Sequence, residues 1–344
     1  MNKDIYILAI ETSCDETSMA IIKNGTEVVS NTILTQIDTH KSFGGVVPEI
    51  ASRMHTESIL MVLEETLEKS IIKIEDVDAI AVTYAPGLLG SLLIGIECAK
   101  TLAMIYKKPL IAVNHTVGHI YANNLEHKME FPLLALIISG GHTDLVYMKN
   151  DYDIEFLGSS IDDSIGEVYD KVARVLSLPY PGGPSIEKLA KEGQATYNLP
   201  KSMMKDSYDF SYSGLKSSII NLVHNEKQRG SEIRKEDLAS SFQEVAVEQL
   251  LRKTEKALTN YNAKQFILAG GVSANKYIRE EMNKLCQKYN IPFHVPELKY
   301  CTDNAAMIGA AAYPLYKNNK FADYSLNGSS NENIKIYFEK FNQE

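Results

Sequence analysis

The sequence has few cysteines and no long hydrophobic run near its N-terminus. Its four cysteines are scattered among 344 residues: Cys14, Cys98, Cys286 and Cys301. Because they form no close pair of the kind found in zinc ribbons and redox motifs, we expect free thiols in a reducing cytoplasm. The apolar run at residues 5–10 ends at a carboxylate and is too short to cross a bilayer. No small-residue cleavage site follows it, so this run predicts a buried strand and the sequence predicts no membrane association.

Basic residues are in the minority. The sequence contains 35 lysines and arginines against 44 aspartates and glutamates, which gives a net charge of −9. This charge argues against a protein that grips nucleic acid over its whole surface. Contact with a nucleic acid would need a local basic patch or a partner that shares the contact. The length allows one large domain or two medium ones, and 44% hydrophobic residues are ordinary for a globular enzyme.

Two stretches of the sequence share one design. Residues 6–22 and residues 132–148 each consist of an apolar strand, a polar turn and a returning strand. Both turns offer backbone N–H groups and small hydroxyls at which a phosphate or carboxylate could bind. One polar hairpin turn would mean little, but two of them about a domain apart indicate a duplicated lobe.

Helices and strands alternate along the rest of the chain. Periodicity predicts helices at residues 48–69, 91–106, 166–176 and 235–260 and from residue 276 onward, and strands at residues 77–83, 109–113 and 265–268. Such alternation predicts an α/β fold with mostly parallel sheets. The polar residues 325–333 are typical of a loop before a terminal segment.

The sharpest local signal is His115-Thr-Val-Gly-His119. In a helix, this i, i+4 spacing places both imidazoles on one face, as metal chelation requires. Two solvated or capping histidines are the alternative. A zinc-protease site is disfavoured, because the position of the glutamate that serves as general base beside the first histidine is taken by Thr116.

A third metal ligand is expected from a carboxylate elsewhere in the chain. Asp303, in Cys301-Thr-Asp-Asn-Ala-Ala-Met, is the best source, because a helix of small residues that could pack tightly follows it. The same aspartate could equally cap that helix. Two histidines and one carboxylate would suit iron(II) or zinc, with positions left open for substrate.

Glycine pairs mark candidate ligand turns at Gly140-Gly141, Gly182-Gly183 and Gly270-Gly271. Each allows close approach of a ligand to the backbone, and the helix after Asn275 would offer its positive end to a phosphate. Together these pairs indicate a nucleotide cleft between lobes. The candidate acid–base groups are Glu11, Asp15, Glu16, Asp162, Asp163, Glu167 and Asp170.

Seven motifs along nearly the whole chain resemble those of the bacterial tRNA adenosine threonylcarbamoyltransferases, formerly described as O-sialoglycoprotein endopeptidases. They are Ile10-Glu-Thr-Ser-Cys-Asp-Glu-Thr-Ser, His115-Thr-Val-Gly-His, Ile138-Ser-Gly-Gly-His-Thr, Tyr180-Pro-Gly-Gly-Pro, Phe210-Ser-Tyr-Ser-Gly-Leu-Lys, Ala269-Gly-Gly-Val-Ser-Ala-Asn and Cys301-Thr-Asp-Asn-Ala-Ala-Met. The resemblance implies an α/β fold of two lobes, as in actin, Hsp70 and the sugar kinases, with a central cleft between the lobes.

The domain boundaries follow from this resemblance. We expect an N-terminal lobe at residues 1–128, a C-terminal lobe at residues 129–325 and a polar C-terminal segment at residues 326–344. The helix after Asp303 is expected to pack back toward the first lobe.

The resemblance also implies a set of site residues. His115, His119 and Asp303 would bind one divalent metal ion, iron(II) or zinc. The residues expected to hold a threonylcarbamoyl-AMP donor are Ile138, Ser139, Gly140, Gly141, His142, Asp170, Gly183, Glu187 and Asn275. Asp15, in the first polar turn, is the expected proton acceptor.

The implied reaction is transfer of threonylcarbamoyl to the exocyclic amine of the adenosine 3′ of the anticodon, position 37, with loss of AMP. An aromatic amine is a poor nucleophile, so catalysis should come mainly from positioning and from stabilisation of the oxyanion. The implied partners are tRNA, a paralogous non-catalytic subunit and a small ATPase, all in the cytoplasm. A small-molecule carbamoyltransferase, a sugar or acetate kinase and a non-catalytic interaction protein remain the alternatives.

Overall fold

The computed structural model describes residues 3–202 and 206–341. The chain forms two compact α/β units. The first unit contains Met1–Met129 and Pro296–Glu344, and the second contains Glu130–Val295. The first unit is therefore built from the two ends of the chain, and the second is one continuous segment.

The strands are β1 (Tyr6–Glu11), β2 (Glu16–Lys23), β3 (Glu27–Thr35), β4 (Ala79–Ala85), β5 (Leu110–Asn114), β6 (Leu133–Ile138), β7 (Thr143–Asn150), β8 (Asp153–Ser159), β9 (Gln265–Ala269) and β10 (Phe293–His294). The helices are α1 (Ile37–Lys41), α2 (Pro48–Glu68), α3 (Leu89–Tyr106), α4 (His115–Tyr121), α5 (Ile165–Val175), α6 (Gly182–Ala190), α7 (Ser213–Arg229), α8 (Lys235–Asn260), α9 (Lys276–Lys288), α10 (Leu298–Cys301), α11 (Ala305–Lys317) and α12 (Ile334–Phe341).

The two sheets have the same topology. The first has the strand order β3-β2-β1-β4-β5, and the second has the order β10-β9-β6-β7-β8, which is the same arrangement read from the other edge. In each sheet the first three strands in sequence are antiparallel, and the two later strands add in parallel. The predicted duplication is thus present, although the sheets are mixed rather than mostly parallel.

Strand β1 is covered on both sides within the first unit. Leu8 and Ile10 belong to a hydrophobic core that also contains Leu92 and Ile96 of α3. Ala9 points to the opposite side of the strand, where a Cβ added at Gly309 of α11 would lie 3.4 Å from its Cβ. A strand buried on both faces has a continuous apolar sequence, which is what residues 5–10 show.

Helix α3 is long and apolar enough to cross a membrane by length and composition alone. One side of this helix, with Leu92, Ile96 and Leu102, is buried in the hydrophobic core of the first unit beside the sheet. The second unit has its own core, which extends from β6 to α9 and includes Phe210, Phe242 and Phe266.

The division into units differs from the boundaries inferred from the sequence. The first boundary falls at residue 129, within one residue of the expected place, but residues 296–325 lie in the first unit rather than in the second. The physical reason is the packing of α11. Its backbone amide at Ala305 donates to Ser18 Oγ of β2 at 2.9 Å, and Gly309 lies directly against Ile22.

Candidate metal centre and donor site

Helix α4 begins directly at the end of β5. The Asn114 side chain caps it, and its Oδ1 accepts from the backbone amides of Thr116 and Val117 at 3.0 and 3.3 Å. The cap makes residues 115–119 helical, so the two histidines lie on one face as predicted. Both imidazoles are buried, and their ring centroids are 4.7 Å apart.

Asp303 joins the two histidines. Its Oδ1 lies 3.4 Å from His115 Nε2 and 3.2 Å from His119 Nε2. The helix that follows is capped by Asn304, whose Oδ1 accepts from the Met307 amide at 3.1 Å. Asp303 is therefore not the cap of α11, and its carboxylate is left to face the histidines. One ligand atom from each of the three residues lies within 4.8 Å of the others.

Gly118, which is unfavourable inside a helix, has a packing role. A Cβ at this position would lie 2.7 Å from Ile308 Cδ1 of α11. The glycine thus allows α4 to pack closely against the helix that follows Asp303. Close packing of these two helices brings the histidines and the aspartate together.

Glu11, at the end of β1, contacts Nδ1 of His115, the ring nitrogen that does not face Asp303. Its Oε2 lies 3.0 Å from His115 Nδ1 and accepts from Thr83 Oγ1 at 2.6 Å, while Oε1 accepts from the Ser13 amide at 2.6 Å. A carboxylate bound to Nδ1 favours the tautomer with the proton there, so that the Nε2 lone pair faces Asp303. The sequence indicated Glu11 only as an acid–base candidate, and the only signal for this role is its place at the end of a buried strand.

The charges of the site act on one another in a buried environment. Burial lowers the pKa of His115, but the Asp303 and Glu11 carboxylates outweigh it and raise this pKa well above its usual value. Burial alone would raise the pKa of Asp303, but the two histidines hold it well below its usual range. The pKa of His119 is lowered, mainly by burial. Metal binding requires an ionised carboxylate and neutral imidazoles, so His115 would release a proton when a metal ion binds, whereas His119 is already neutral.

These residues fit a metal ion. His119 Nε2 lies near Asp303, but neither ring nitrogen makes a hydrogen bond within the described part of the chain. A buried polar atom without a hydrogen bond requires another partner. Neutral imidazole and carboxylate form a donor set suited to a divalent transition metal, so the triad is a possible metal-binding site.

Asp15 lies on the turn that brings Glu11 and Ser13 to His115. Ser13 Oγ is 3.1 Å from His115 Nδ1, a contact that the sequence did not indicate. Burial and the charges of Asp303 and Asp15 raise the pKa of Glu16 well above its usual value. The turn with the expected proton acceptor is therefore next to the possible metal site, within the first unit.

The second unit contains the predicted donor residues. Residues 138–142 form a tight turn after β6, in which the Ser139 amide donates to the His142 carbonyl at 2.9 Å and the His142 amide donates to Ser139 Oγ at 3.1 Å. Added Cβ atoms at Gly140 and Gly141 would meet no atom within 4 Å. The turn is thus open to a ligand at both glycines.

Helix α5 contacts this turn and also carries Asp170, the next residue predicted to bind the donor. Its N-cap, Ser164, donates from Oγ to the Gly140 carbonyl at 2.6 Å. In the middle of this helix, Asp170 Oδ1 accepts from the Gly182 amide at 2.7 Å, and burial raises the pKa of Asp170. Gly183, next along the chain, is open within 4 Å.

The last two predicted residues meet at the start of α9. Asn275 caps this helix by accepting from the Ile278 amide at 3.0 Å, and Glu187 Oε1 lies 3.3 Å from the Lys276 amide that donates to it. Glu187 is mostly buried, since its side chain is 14% exposed, and it also pairs with Lys191 at 2.9 Å. The Glu187 carboxylate and the Asn275 side chain thus both accept hydrogen bonds from backbone amides of the first turn of α9.

Comparison with known proteins assigns the chain to a family. A model of the tRNA N6-adenosine threonylcarbamoyltransferase (TsaD) family matches residues 27–310. Curated relatives of the same description from Staphylococcus epidermidis and Staphylococcus carnosus are 55% and 54% identical over 98% of this chain and 99% and 98% of their own.

Solved structures show the fold alone. HypF from T. kodakarensis matches 94% of this chain and 49% of its own with a TM-score of 0.65 at 15% identity. Component A of (R)-2-hydroxyglutaryl-CoA dehydratase from Acidaminococcus fermentans matches 92% and 99%, with a TM-score of 0.55 at 15% identity. The two α/β units are of the actin, Hsp70 and sugar-kinase class. By the extent of the family match and of the identity, the chain belongs to the tRNA N6-adenosine threonylcarbamoyltransferases.

Proposed function

We propose that the chain transfers threonylcarbamoyl from threonylcarbamoyl-AMP to the exocyclic amine of adenosine 37, 3′ of the anticodon, in tRNAs that read codons beginning with adenine. The observation that carries this proposal is the 55% identity to a tRNA N6-adenosine threonylcarbamoyltransferase over 98% of the chain. The amine nitrogen bonds to the carbamoyl carbon, the bond from that carbon to the phosphate oxygen breaks, and AMP leaves with the electron pair. The amine loses one proton, for which we propose Asp15 as the acceptor.

We propose His115, His119 and Asp303 as the ligands of one metal ion, iron(II) in preference to zinc. Their support is the buried triad with ligand atoms within 4.8 Å of one another. When bound, such an ion supplies Lewis-acid polarisation of a carbonyl. Glu11 orients His115 by its Nδ1 atom, and Asn304 takes over the capping of α11 so that Asp303 remains available.

We propose that the turn at residues 138–142 binds the anionic part of the donor through the backbone amides of Gly140 and Gly141, because the amides of Ser139 and His142 are used within the turn. The open space at Gly140 and Gly141 supports this role, because a Cβ added at either glycine would meet no atom within 4 Å. Asp170, Gly183, Glu187 and Asn275 would complete the donor site along α5, α6 and α9.

The partners that we propose are tRNA, a paralogous non-catalytic subunit and a small ATPase in the cytoplasm. An adenosine in the anticodon loop is accessible to a protein without melting a duplex. Helices α2 and α3 carry large apolar side chains that are at least half exposed: Leu60, Met61, Met104 and Ile105. Exposed apolar side chains on neighbouring helices are typical of a subunit contact.

A single-turnover reaction tests the proposed function. The chain, its two protein partners, preformed threonylcarbamoyl-AMP and unmodified tRNA should yield modified adenosine and AMP, and no ATP should be consumed in the transfer step. Phosphorylation of a small molecule at the expense of ATP, without modified tRNA, would favour a kinase instead. His115→Ala should lower bound metal and modified adenosine together, and metal analysis of the same preparation identifies the ion.

A further inference from the structure

The turn that carries Asp15 is not held by the strands on either side of it. The last β1–β2 pair is Glu11 with Ser18, and β2 already pairs with β3 from Glu16 onward. Residues 12–15 therefore lie outside the strand ladder. A connection of this length has no conformation imposed by hairpin geometry, so other contacts must determine where Asp15 lies.

His55 of α2 supplies two of these contacts. The ring is fully buried, and its Nε2 lies 2.9 Å from the Cys14 carbonyl oxygen. A carbonyl can only accept, so Nε2 carries the proton and Nδ1 is an acceptor. Nδ1 lies 2.7 Å from Thr17 Oγ1, which therefore donates to it. Burial lowers the pKa of His55, in agreement with this neutral form.

Gln36 holds the turn at the next residue. Its backbone amide donates to the Asp15 carbonyl at 2.9 Å. Its side chain is fixed in turn, because Nε2 donates to the Ala51 carbonyl of α2 at 3.3 Å and Oε1 lies 3.2 Å from His40 Nε2. His40 Nδ1 accepts from the Val47 amide at 3.3 Å, so His40 Nε2 is the donor to Gln36.

The contacts converge on one face of one helix. Ala51, His55 and Ser58 have the spacing i, i+4, i+7 and lie along the same side of α2. Ser58 Oγ lies 3.0 Å from Thr17 Oγ1. The backbone is thus held at Cys14 and Asp15 and the side chain at Thr17, which are the residue before Asp15, Asp15 itself and the second residue after it.

We propose that His55 and Thr17 are positioning residues for the transfer reaction, which hold residues 14–17 in the conformation that presents the Asp15 carboxylate. This inference rests on the proposed function. Neither residue touches the substrate, and each acts only through the turn. Their loss should affect the rate of transfer and leave the metal content and the affinity for the donor unchanged. The reason is that Glu11 and Ser13, which contact His115, keep hydrogen bonds of their own: Thr83 Oγ1 donates to Glu11 and the Leu88 amide donates to the Ser13 carbonyl.

Thr17→Val tests the proposal, since it removes the hydroxyl and keeps the shape. The single-turnover rate in the complete assembly should fall about 10- to 100-fold, the range expected for misplacement of a reacting group by about 1 Å. Metal content and the donor Kd should not change, and Thr17→Ser should restore most of the rate. A wild-type rate in Thr17→Val would overturn the proposal, and so would an equal loss in Thr17→Ser.

Thr66→Val is the matched control. Thr66 is also a fully buried threonine between α2 and β2, with its hydroxyl 2.7 Å from the Val62 carbonyl and 3.3 Å from the Met19 carbonyl. It should lose comparable stability but keep the wild-type transfer rate. If the two variants lose activity equally, the effect of Thr17 is one of stability only and the proposal fails.

A nitrogen-15 NMR measurement of the histidine tautomer separates this proposal from the proposed function. His55 should have its proton on Nε2 in the wild-type protein, and its Nδ1 signal should shift in Thr17→Val. A charged His55, or a proton on Nδ1, would overturn the inference whatever the activity. A wild-type assembly that forms no modified adenosine from the preformed donor would instead refute the proposed function, and with it the role in transfer.

Discussion

Glu11 holds the ring of His115 by its Nδ1 atom, although it is not one of the three proposed metal ligands. Glu11→Gln keeps the shape but offers an amide N–H to Nδ1, which favours the tautomer with Nε2 protonated. We expect metal affinity to fall about 10- to 100-fold, the usual effect of losing such a supporting carboxylate. Competition with a chelator measures this change. The exposed Glu27 serves as control, and equal affinities in Glu11→Gln, Glu27→Gln and wild type would contradict the assignment.

The buried carboxyl group of Asp144 leads us to expect that the stability of the protein depends on pH. Burial raises its pKa to about 7, and its Oδ2 has no hydrogen-bond partner among the described residues. The folded state therefore binds a proton that the unfolded state releases near pH 4. Stability falls as pH rises between these values, by at most about 1.4 kcal/mol per pH unit.

Asp144→Asn removes this titration. Its unfolding temperature relative to wild type should be higher at pH 8 than at pH 5, because only the wild type then buries a charge. Thermal denaturation at both pH values is the measurement. The exposed Asp153 on β8 provides the control variant Asp153→Asn. Its unfolding temperature should differ from that of wild type by the same amount at pH 5 and at pH 8. A pH-independent difference for Asp144→Asn would be evidence against a raised pKa.

At the scale of structural elements, the turn after β6 is the best place to test donor binding. Gly141→Ala should leave folding intact, because the added Cβ meets no atom within 4 Å. The methyl group should nevertheless obstruct a donor that approaches the backbone amides. We expect an unchanged unfolding temperature and at least a tenfold weaker affinity for threonylcarbamoyl-AMP, measured by calorimetry. Normal affinity in this variant would place the donor elsewhere.

Several elements could be predicted from the sequence because their signals are local. The helix at Pro48 has a proline at its start and apolar residues at helical spacing, and α8 has the predicted bounds. Strand β3 could not be predicted, since its burial follows no strict alternation. Helix α7 has only two buried residues, Leu215 and Ile219, among 17, so its apolar stripe is weak.

The same distinction applies to the site. The histidine pair could be predicted because its spacing within one helix is a local property. The hydrogen bonds that hold His115 in place could not be predicted. Glu11, Ser13 and Thr83 come from different strands and turns and meet only in the folded sheet. Thr17 lies within the first of the seven motifs but His55 lies in none, and their pairing depends on the packing of α2 against β2.

At the scale of the whole molecule, the two units differ in how they depend on the ends of the chain. Glu130–Val295 contains its own hydrophobic core and should unfold cooperatively when expressed alone. Met1–Met129 alone lacks α11, which packs against β1 and β2, and should not fold. Met1–Met129 joined to Pro296–Glu344 by a short linker should fold and bind metal.

A short linker is sufficient because the Glu297 amide donates to Glu126 Oε2 at 2.7 Å, so the two ends of the inserted segment are neighbours. Circular dichroism and metal titration of the three fragments measure these outcomes. Cooperative unfolding and stoichiometric metal binding by Met1–Met129 alone would contradict the role assigned to α11 and Asp303.

The separation of the three proposed metal ligands in sequence has a consequence for protein synthesis. More than half of the chain lies between His119 and Asp303. On the ribosome, the second unit is complete before Asp303 has been translated, and it can fold while the first unit still lacks α10, α11 and α12. The nascent chain therefore exposes the face of the first sheet that α11 will cover. His115 and His119 lack Asp303 throughout this time. The proposed metal site can be completed only after Asp303 has been translated, so a product released before that point would lack one of the three proposed ligands.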